Sequence, residues 1–204
     1  MVVIGFDTDA KGSIAILDCR IEDAPTLDVY AVPNRHKVLK SGTKRLGTNY
    51  PALAALMVEL ISSVPVDYLY LEEQWSRPDQ AGMFTFGQTF GDCRTAVAGA
   101  LIAAGHTPEH ADEKIVFVPG GEWKHEMRLD SDKSKSLALA SAIFPECKQA
   151  WKLVSKHTSA AEASLLALYG ASKKGIRLKP KTTVLPPSKP TLTLFPSLVL
   201  GEKK

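Results

Sequence analysis

Ile4-Gly5-Phe6-Asp7-Thr8-Asp9-Ala10-Lys11-Gly12-Ser13-Ile14-Ala15-Ile16-Leu17 is the stretch on which the fold turns. Two apolar runs flank a short polar turn marked by Gly12, the pattern of a buried strand and its antiparallel partner. Residues 2–7 are predicted as the first strand and residues 13–18 as the second. Residues 27–32 supply a third, which makes a meander. The first strand ends in a carboxylate, Asp7. An Asp-x-Asp before Gly is also an ordinary turn sequence, so the meaning of Asp7 depends on which acids the rest of the chain brings to it.

Downstream, residues 34–48 contain Ser41, Gly42 and Gly47 and read as a loop. Asn49 can cap a helix with Pro51 in its first turn, and Leu53, Leu56, Met57 and Leu60 share one face of it. Residues 66–71 read as a fourth strand and close on Glu72 and Glu73. After a loop at 76–82, residues 83–104 carry Met83, Phe86, Phe90, Val97 and Leu101 at helical spacing. Gly87, Gly91 and Gly99 weaken that helix by propensity. They are expected where another helix, or a nucleic-acid backbone, packs very close. Residues 115–118 form a fifth strand. Ser131 or Asp132 opens a helix that runs to about Phe144, and Thr158 or Ser159 opens a last helix reaching Gly170. Three meandering strands followed by two parallel strands on helical crossovers predict an α/β fold of the ribonuclease-H-like kind: a five-stranded mixed sheet flanked by helices.

The 204 residues suffice for one domain plus an appendage. The formal charge of +3 is unevenly spread. From Lys173 onward there are eight Lys/Arg and one acid, Glu202, so residues 1–172 hold 17 of the 25 basic and 21 of the 22 acidic residues. The body is slightly acidic, and residues 173–204, with Pro180, Pro186, Pro187, Pro190 and Pro196, are predicted to be a disordered or extended basic tail. A second basic cluster, Arg35, Lys37, Lys40, Lys44 and Arg45, contains no acid and suits a phosphate backbone. Cysteines 19, 93 and 147 have no metal-ligand spacing, and their odd number argues for a reducing compartment. A strand-like run from Val2 is unlike a signal peptide, and no apolar stretch approaches the ~20 residues of a membrane span. A soluble protein is expected.

Period-two alternation puts Glu72 and Glu73 on opposite faces of their strand, so one of them alone can point the same way as Asp7. Ser159-x-x-Glu162 matches a capping box, in which Glu162 would only turn back on the helix start. Against that, Glu162 shares a face with Leu165, Leu166 and Tyr169, and a carboxylate on a buried face needs a cation or a partner. His157 precedes this helix. Acids gathered at strand and helix ends form an oxygen-lined site for a hard divalent cation.

Residues 4–17 resemble the first motif of the RuvC-type Holliday junction resolvases, closest to the branch of plastid resolvases and phage-type proteins. Tyr70-Leu71-Glu72-Glu73-Gln74 resembles the strand that ends in that family's second catalytic acid. Trp123-Lys124-His125, with the later Ile143-Phe144-Pro145, resembles its Trp-Lys and Leu-Phe-Pro signatures. Lys156-His157-Thr158-Ser159-Ala160-Ala161-Glu162-Ala163 resembles its closing His-x-x-Ala-Glu-Ala helix. The likeness spans residues 2–172. The family pattern sets the His four residues before the Glu. Here His157 is five before Glu162 and Thr158 holds the expected place. The resemblance implies a homodimeric endonuclease acting on four-way DNA junctions with two Mg²⁺ ions, for which Mn²⁺ can substitute. Asp7, Glu72 and Glu162 would be the metal ligands, with His157 as a further catalytic residue. It places Lys124 at a scissile-strand phosphate, beside Arg35, Lys37, Lys40, Lys44 and Arg45 as general DNA contacts. A plastid or mitochondrial nucleoid, or a phage-infected bacterial cytoplasm, is a setting consistent with it. Two other readings share the fold: a branched-DNA-binding module that has lost catalysis, and an ATPase of the sugar-kinase kind, for which the chain is short of a second domain.

Overall fold

The computed structural model describes residues 1–21, 24–38, 42, 44–73, 83–147, 151, 157–176 and 178. In chain order these form β1 (Val2–Phe6), β2 (Ser13–Asp18), β3 (Thr26–Ala31), β4 (Asn34–Val38), β5 (Lys44–Thr48), α1 (Tyr50–Ser63) and β6 (Tyr68–Glu73). There follow α2 (Met83–Ala103), α3 (Pro108–Lys114), β7 (Ile115–Pro119), α4 (Gly120–Glu126), α5 (Lys133–Ile143), a 3-10 turn (Pro145–Cys147) and α6 (His157–Lys173). The main sheet has the order β3-β2-β1-β6-β7. β1 pairs antiparallel with β2 and parallel with β6, so the first strand is the central one, as the meander-then-crossover reading expects. β2–β3 is antiparallel and β6–β7 parallel.

Alternation along β1 feeds two cores. Val2, Ile4 and Phe6, with Leu69 and Leu71, meet Leu53, Met57 and Leu60 of α1 and Cys93, Val97 and Leu101 of α2. On the opposite face Val3, Ala15, Leu17 and Tyr70 meet the buried alanines and leucines of α6, with Ala140 of α5 and Trp123 of α4 beside them. Gly5 lies at the centre of that second face. A Cβ at residue 5 would overlap the Ala163 carbonyl oxygen and the Ala167 nitrogen, so α6 rests backbone to backbone on the central strand. All three cysteines are buried. Among the described residues no helix is long and apolar enough to cross a membrane.

The structure corrects three expectations. The segment read as a loop at 34–48 is a β-hairpin, β4–β5, paired from Asn34↔Thr48 to Val38↔Lys44 as a separate two-stranded sheet. Its strands carry charge in place of apolar alternation because Arg35, His36, Val38 and Lys44 are exposed, so burial leaves no mark on the sequence. A backbone bond from the Asn49 N–H to the Pro33 carbonyl, 2.8 Å, closes its base. Second, Gly87, Gly91 and Gly99 do not mark a closely packed helix among the described residues: a Cβ at each would meet none of them within 4 Å. Third, α6 begins at His157, ahead of the expected Thr158 or Ser159. Helices α3 and α4 were not expected, since seven residues each are too few to show a period. Most of the predicted tail and the 76–82 loop lie outside the described residues.

The two kinds of glycine give opposite predictions. Gly5→Val is expected to cost about 3 kcal/mol in stability by overpacking α6 against β1. Gly99→Ala, in open helix, is expected to gain ~0.5–1 kcal/mol. Urea melts of both variants check this, and a wild-type midpoint for Gly5→Val would mean that α6 does not rest on residue 5.

Candidate active site

Because β1 and β6 run parallel, their C-terminal ends lie side by side. The register pairs Gly5 with Tyr70 and Phe6 with Leu71. Continued by one residue it sets Asp7 beside Glu72, on the face covered by α6, while Glu73 falls on the other face. The Thr8 hydroxyl donates to the Glu72 carbonyl at 2.8 Å and ties the two strand ends together.

Asp7 is buried, at 5% exposure. Its Oδ1 accepts a 3.3 Å bond from the Asp9 N–H, and its Oδ2 has no hydrogen-bond partner among the described residues. Burial, then the adjacent Glu72 charge, raises the Asp7 carboxyl to about 7; Glu162 adds to the rise and Lys133 opposes it. Glu72 is also raised, first by burial and then by Glu162, with Lys124 and Lys133 pulling it back. Gly120 makes room for it: a Cβ there would stand 2.5 Å from Glu72 Oε1. The fully buried Trp123 indole N–H has no partner in hydrogen-bond geometry among the described residues. It stands close enough to the Glu72 carboxylate to favour the charged form.

Glu162 comes from the second turn of α6 and is 2% exposed. Lys124 Nζ lies 2.9 Å from its Oε1, and Lys133 Nζ lies 2.9 Å from its Oε2. The buried Ser136 hydroxyl adds a long 3.5 Å bond to Oε1. Burial alone would raise this carboxyl, but bonds to two ammonium groups outweigh it and hold it below the usual carboxylate range. The side chain therefore faces across to α4 and α5, and the capping-box alternative for Glu162 fails. Lys124 is held in place by its own helix. Trp123 anchors α4 in the core, the Tyr169 hydroxyl donates to Glu122 at 2.9 Å, and Lys173 bonds Glu126 at 2.6 Å.

The structure thus brings Asp7, Glu72, Glu162 and Lys124 together. Arg35 and Lys44 are exposed on the separate β4–β5 sheet. Lys40, and the side chains of Lys37, Arg45 and His157, lie outside the described residues. The α6 start matters for the His spacing. Residues 157–162 are continuous helix, so at ~100° per residue positions 157 and 162 stand about 140° apart around the axis. Thr158, one turn before Glu162, shares its side, and no extra turn residue separates His157 from the helix.

Two site residues escaped the sequence reading, Lys133 and Ser136. A signal was present: 133, 136 and 140 share one helical face, and that face carries the buried Ser136 and Ala140 of α5. A lysine heading a buried stripe calls for an acid, and Glu162 is that acid.

Among the described residues no three His, Cys, Asp or Glu side chains stand ready to hold a metal ion. The donors nevertheless suit a hard divalent cation. They are all carboxylate oxygens at a desolvated strand edge, and Asp7 Oδ2 is an orphan acceptor. Glu162, the third carboxylate, is held by two lysines.

No protein-family model matches this chain. No curated protein matches it either. Among solved structures it is similar to Thermus thermophilus RuvC in complex with a Holliday junction substrate, at TM-score 0.51 and 14% identity, covering 86% of this chain and 98% of that one. A second Thermus thermophilus RuvC structure gives TM-score 0.49 and 12% identity over the same shares. At such identity the likeness speaks for the fold: the chain has the ribonuclease-H-like α/β fold.

The raised Asp7 carboxyl predicts a pH-dependent effect of its removal. At low pH the carboxyl is protonated whether the chain is folded or unfolded. Between about 4 and 7 the unfolded chain gives up that proton and the folded one keeps it, so metal-free wild type loses stability as pH rises through this window, and the loss is complete above 7. Asp7→Asn is expected to match wild type near pH 4 and to exceed it by about 2–4 kcal/mol at pH 8, because each tenfold difference in proton affinity between the folded and unfolded chain amounts to ~1.4 kcal/mol. Urea melts in EDTA across this range check it; a constant difference would mean that Asp7 ionises normally.

Proposed function

We propose that this protein is a metal-dependent endonuclease that resolves four-way DNA junctions by paired symmetric nicks. The observation that carries the reading is the meeting of three carboxylates from distant segments, Asp7, Glu72 and Glu162, with Lys124 and Lys133 on one face of a ribonuclease-H-like sheet. The likeness to RuvC, whose solved complex holds a Holliday junction substrate, supports the choice of DNA.

Asp7, Glu72 and Glu162 would hold two Mg²⁺ ions, with Mn²⁺ as a substitute. Such ions, when bound, activate water and neutralise the leaving oxygen of a phosphodiester. The protein's share is positioning and charge. A cation held beside Asp7 would favour its ionised form and offset the effect of burial. Lys124, fixed by α4, is set to meet a phosphate oxygen. Position 157 stands about 140° from Glu162 around an ideal helix, yet His157 remains the proposed proton carrier because it is the imidazole of this stretch and an imidazole, unlike a hydroxyl, exchanges protons readily near neutral pH. Thr158, on the Glu162 side of the helix, can orient water but not transfer a proton. Arg35, Lys37, Lys40, Lys44 and Arg45 on and around the hairpin, with the basic tail beyond residue 172, would hold the DNA arms by phosphate contact. A homodimer suits two nicks on a two-fold substrate.

Asp7→Asn is expected to abolish nicking of a synthetic mobile junction in Mg²⁺ while leaving binding in EDTA near wild type, because phosphate contacts supply most of the affinity. Glu72→Gln should lose at least ~10²-fold in rate. Glu73→Gln, on the other face, should lose far less. Nicking retained by Asp7→Asn at saturating Mg²⁺ would sink the assignment, and junction binding by an inactive wild type would identify a binding module instead.

Single-turnover cleavage separates the two residues at the start of α6. His157→Ala is expected to cost at least ~10²-fold at pH 7, the scale of a positioned proton transfer. Thr158→Ala should be close to wild type in rate. If Thr158→Ala is the slower enzyme, residue 158 and not His157 fills the family's histidine place.

A further inference from the structure

Both oxygens of Glu162 are taken. Lys124 holds one and Lys133 the other, each at 2.9 Å, and the carboxylate is almost wholly sealed from water. A cation that needs Glu162 must therefore compete with an ammonium group already on it. The two lysines are not equivalent. Lys124 is 16% exposed, rides on a helix anchored by Trp123, and has its ammonium 5.2 Å from that ring. Lys133 is 54% exposed, sits at the first position of α5, and reaches the carboxylate along a flexible four-carbon stem. Its charge also acts on Asp7 and Glu72. With the acids ionised, three negative charges meet two positive ones, and exchanging Lys133 for a divalent ion keeps the site near neutrality.

We propose that Lys133 is a displaceable internal counter-ion: it occupies Glu162 when no metal is bound and competes with a divalent cation for that carboxylate. It is a positioning residue, acting through Glu162. The inference rests on the metal-dependent nuclease reading above, but it concerns metal affinity without DNA and is tested without turnover.

The test is Mn²⁺ binding to the full chain in the absence of DNA, followed by loss of the free Mn²⁺ resonance signal. Circular dichroism melts confirm that each variant is folded. Lys133→Met and the polar Lys133→Gln are expected to bind Mn²⁺ at least ~10-fold more tightly than wild type, a modest effect for a unit charge a few ångströms away. Lys135→Met removes a nearby exposed lysine that pairs with Asp130 instead, and should bind as wild type does. The decisive comparison is made on Glu162→Gln. If Lys133 competes for that carboxylate, Lys133→Met adds much less affinity on Glu162→Gln than on wild type, because only its field at Asp7 and Glu72 is left to remove. A gain of equal size on both backgrounds would make the effect a general field and overturn the proposal. So would unchanged affinity in both Lys133 variants, and each of these results leaves the nuclease reading standing. Absence of Mn²⁺ binding by wild type and every variant would overturn the proposal and the metal-dependent reading with it.

Discussion

Helix α6 can lie directly on the central strand because residue 5 has no side chain. That contact, between Gly5 and the backbone at Ala163 and Ala167, sets the height of α6 above the sheet. Everything at the site follows from this height. Glu162 sits one residue before Ala163, so it arrives beside the end of β1, where Asp7 leaves the sheet. The parallel pairing of β1 and β6 brings Glu72 to the same place on the same face. A helix held farther away by one methyl group would carry Glu162 out of reach. The site is therefore a consequence of close packing on a rigid sheet, with few voids to absorb a shift.

Such packing concentrates charge where water cannot dilute it. Three carboxylates in a desolvated corner oppose one another, and the fold answers in two ways. It lets Asp7 stay protonated near neutrality, and it gives Glu162 two lysines. These answers differ in chemistry. A proton can leave without moving the chain, whereas Lys133 must swing away on its stem. The corner is thus stable as a charge-compensated cluster and still suited to exchange one positive charge for another. Helix α4 contributes by being immobile: Trp123 plugs it into the core while Glu122 and Glu126 bind it to Tyr169 and Lys173.

The opening hairpin, the central place of the first strand, the parallel return of the strand ending in Glu72, and the buried face of the last helix were all legible in the residues. Apolar runs of period two and helical stripes of period 3.6 record burial, and burial is what those elements share. The β4–β5 hairpin was illegible for the same reason. Its charged strands are exposed over much of their length, and the one fully buried residue among those described, Thr48, is polar, so no apolar alternation appears. The glycines of α2 were misleading because a missing side chain reads alike beside a tight neighbour and in open space. The start of α6 at His157, ahead of the expected Thr158 or Ser159, was illegible because no strong capping residue or apolar stripe marks that first turn in the sequence.

By itself, then, the sequence determined the order of elements, the faces they bury, and the acids placed at the ends of apolar runs. These are local matters, written in spacing along the chain. Only the tertiary structure decided that Lys133 and Glu162, 29 residues apart, share a bond of 2.9 Å. The sequence pointed to Glu72 through the family resemblance, and the tertiary structure supplied the physical reason: the strand register sets Glu72, and not Glu73, on the face of the sheet that α6 covers. Charge pairing across elements carries no period and no fixed separation, so it becomes visible once the backbone has brought the partners within reach.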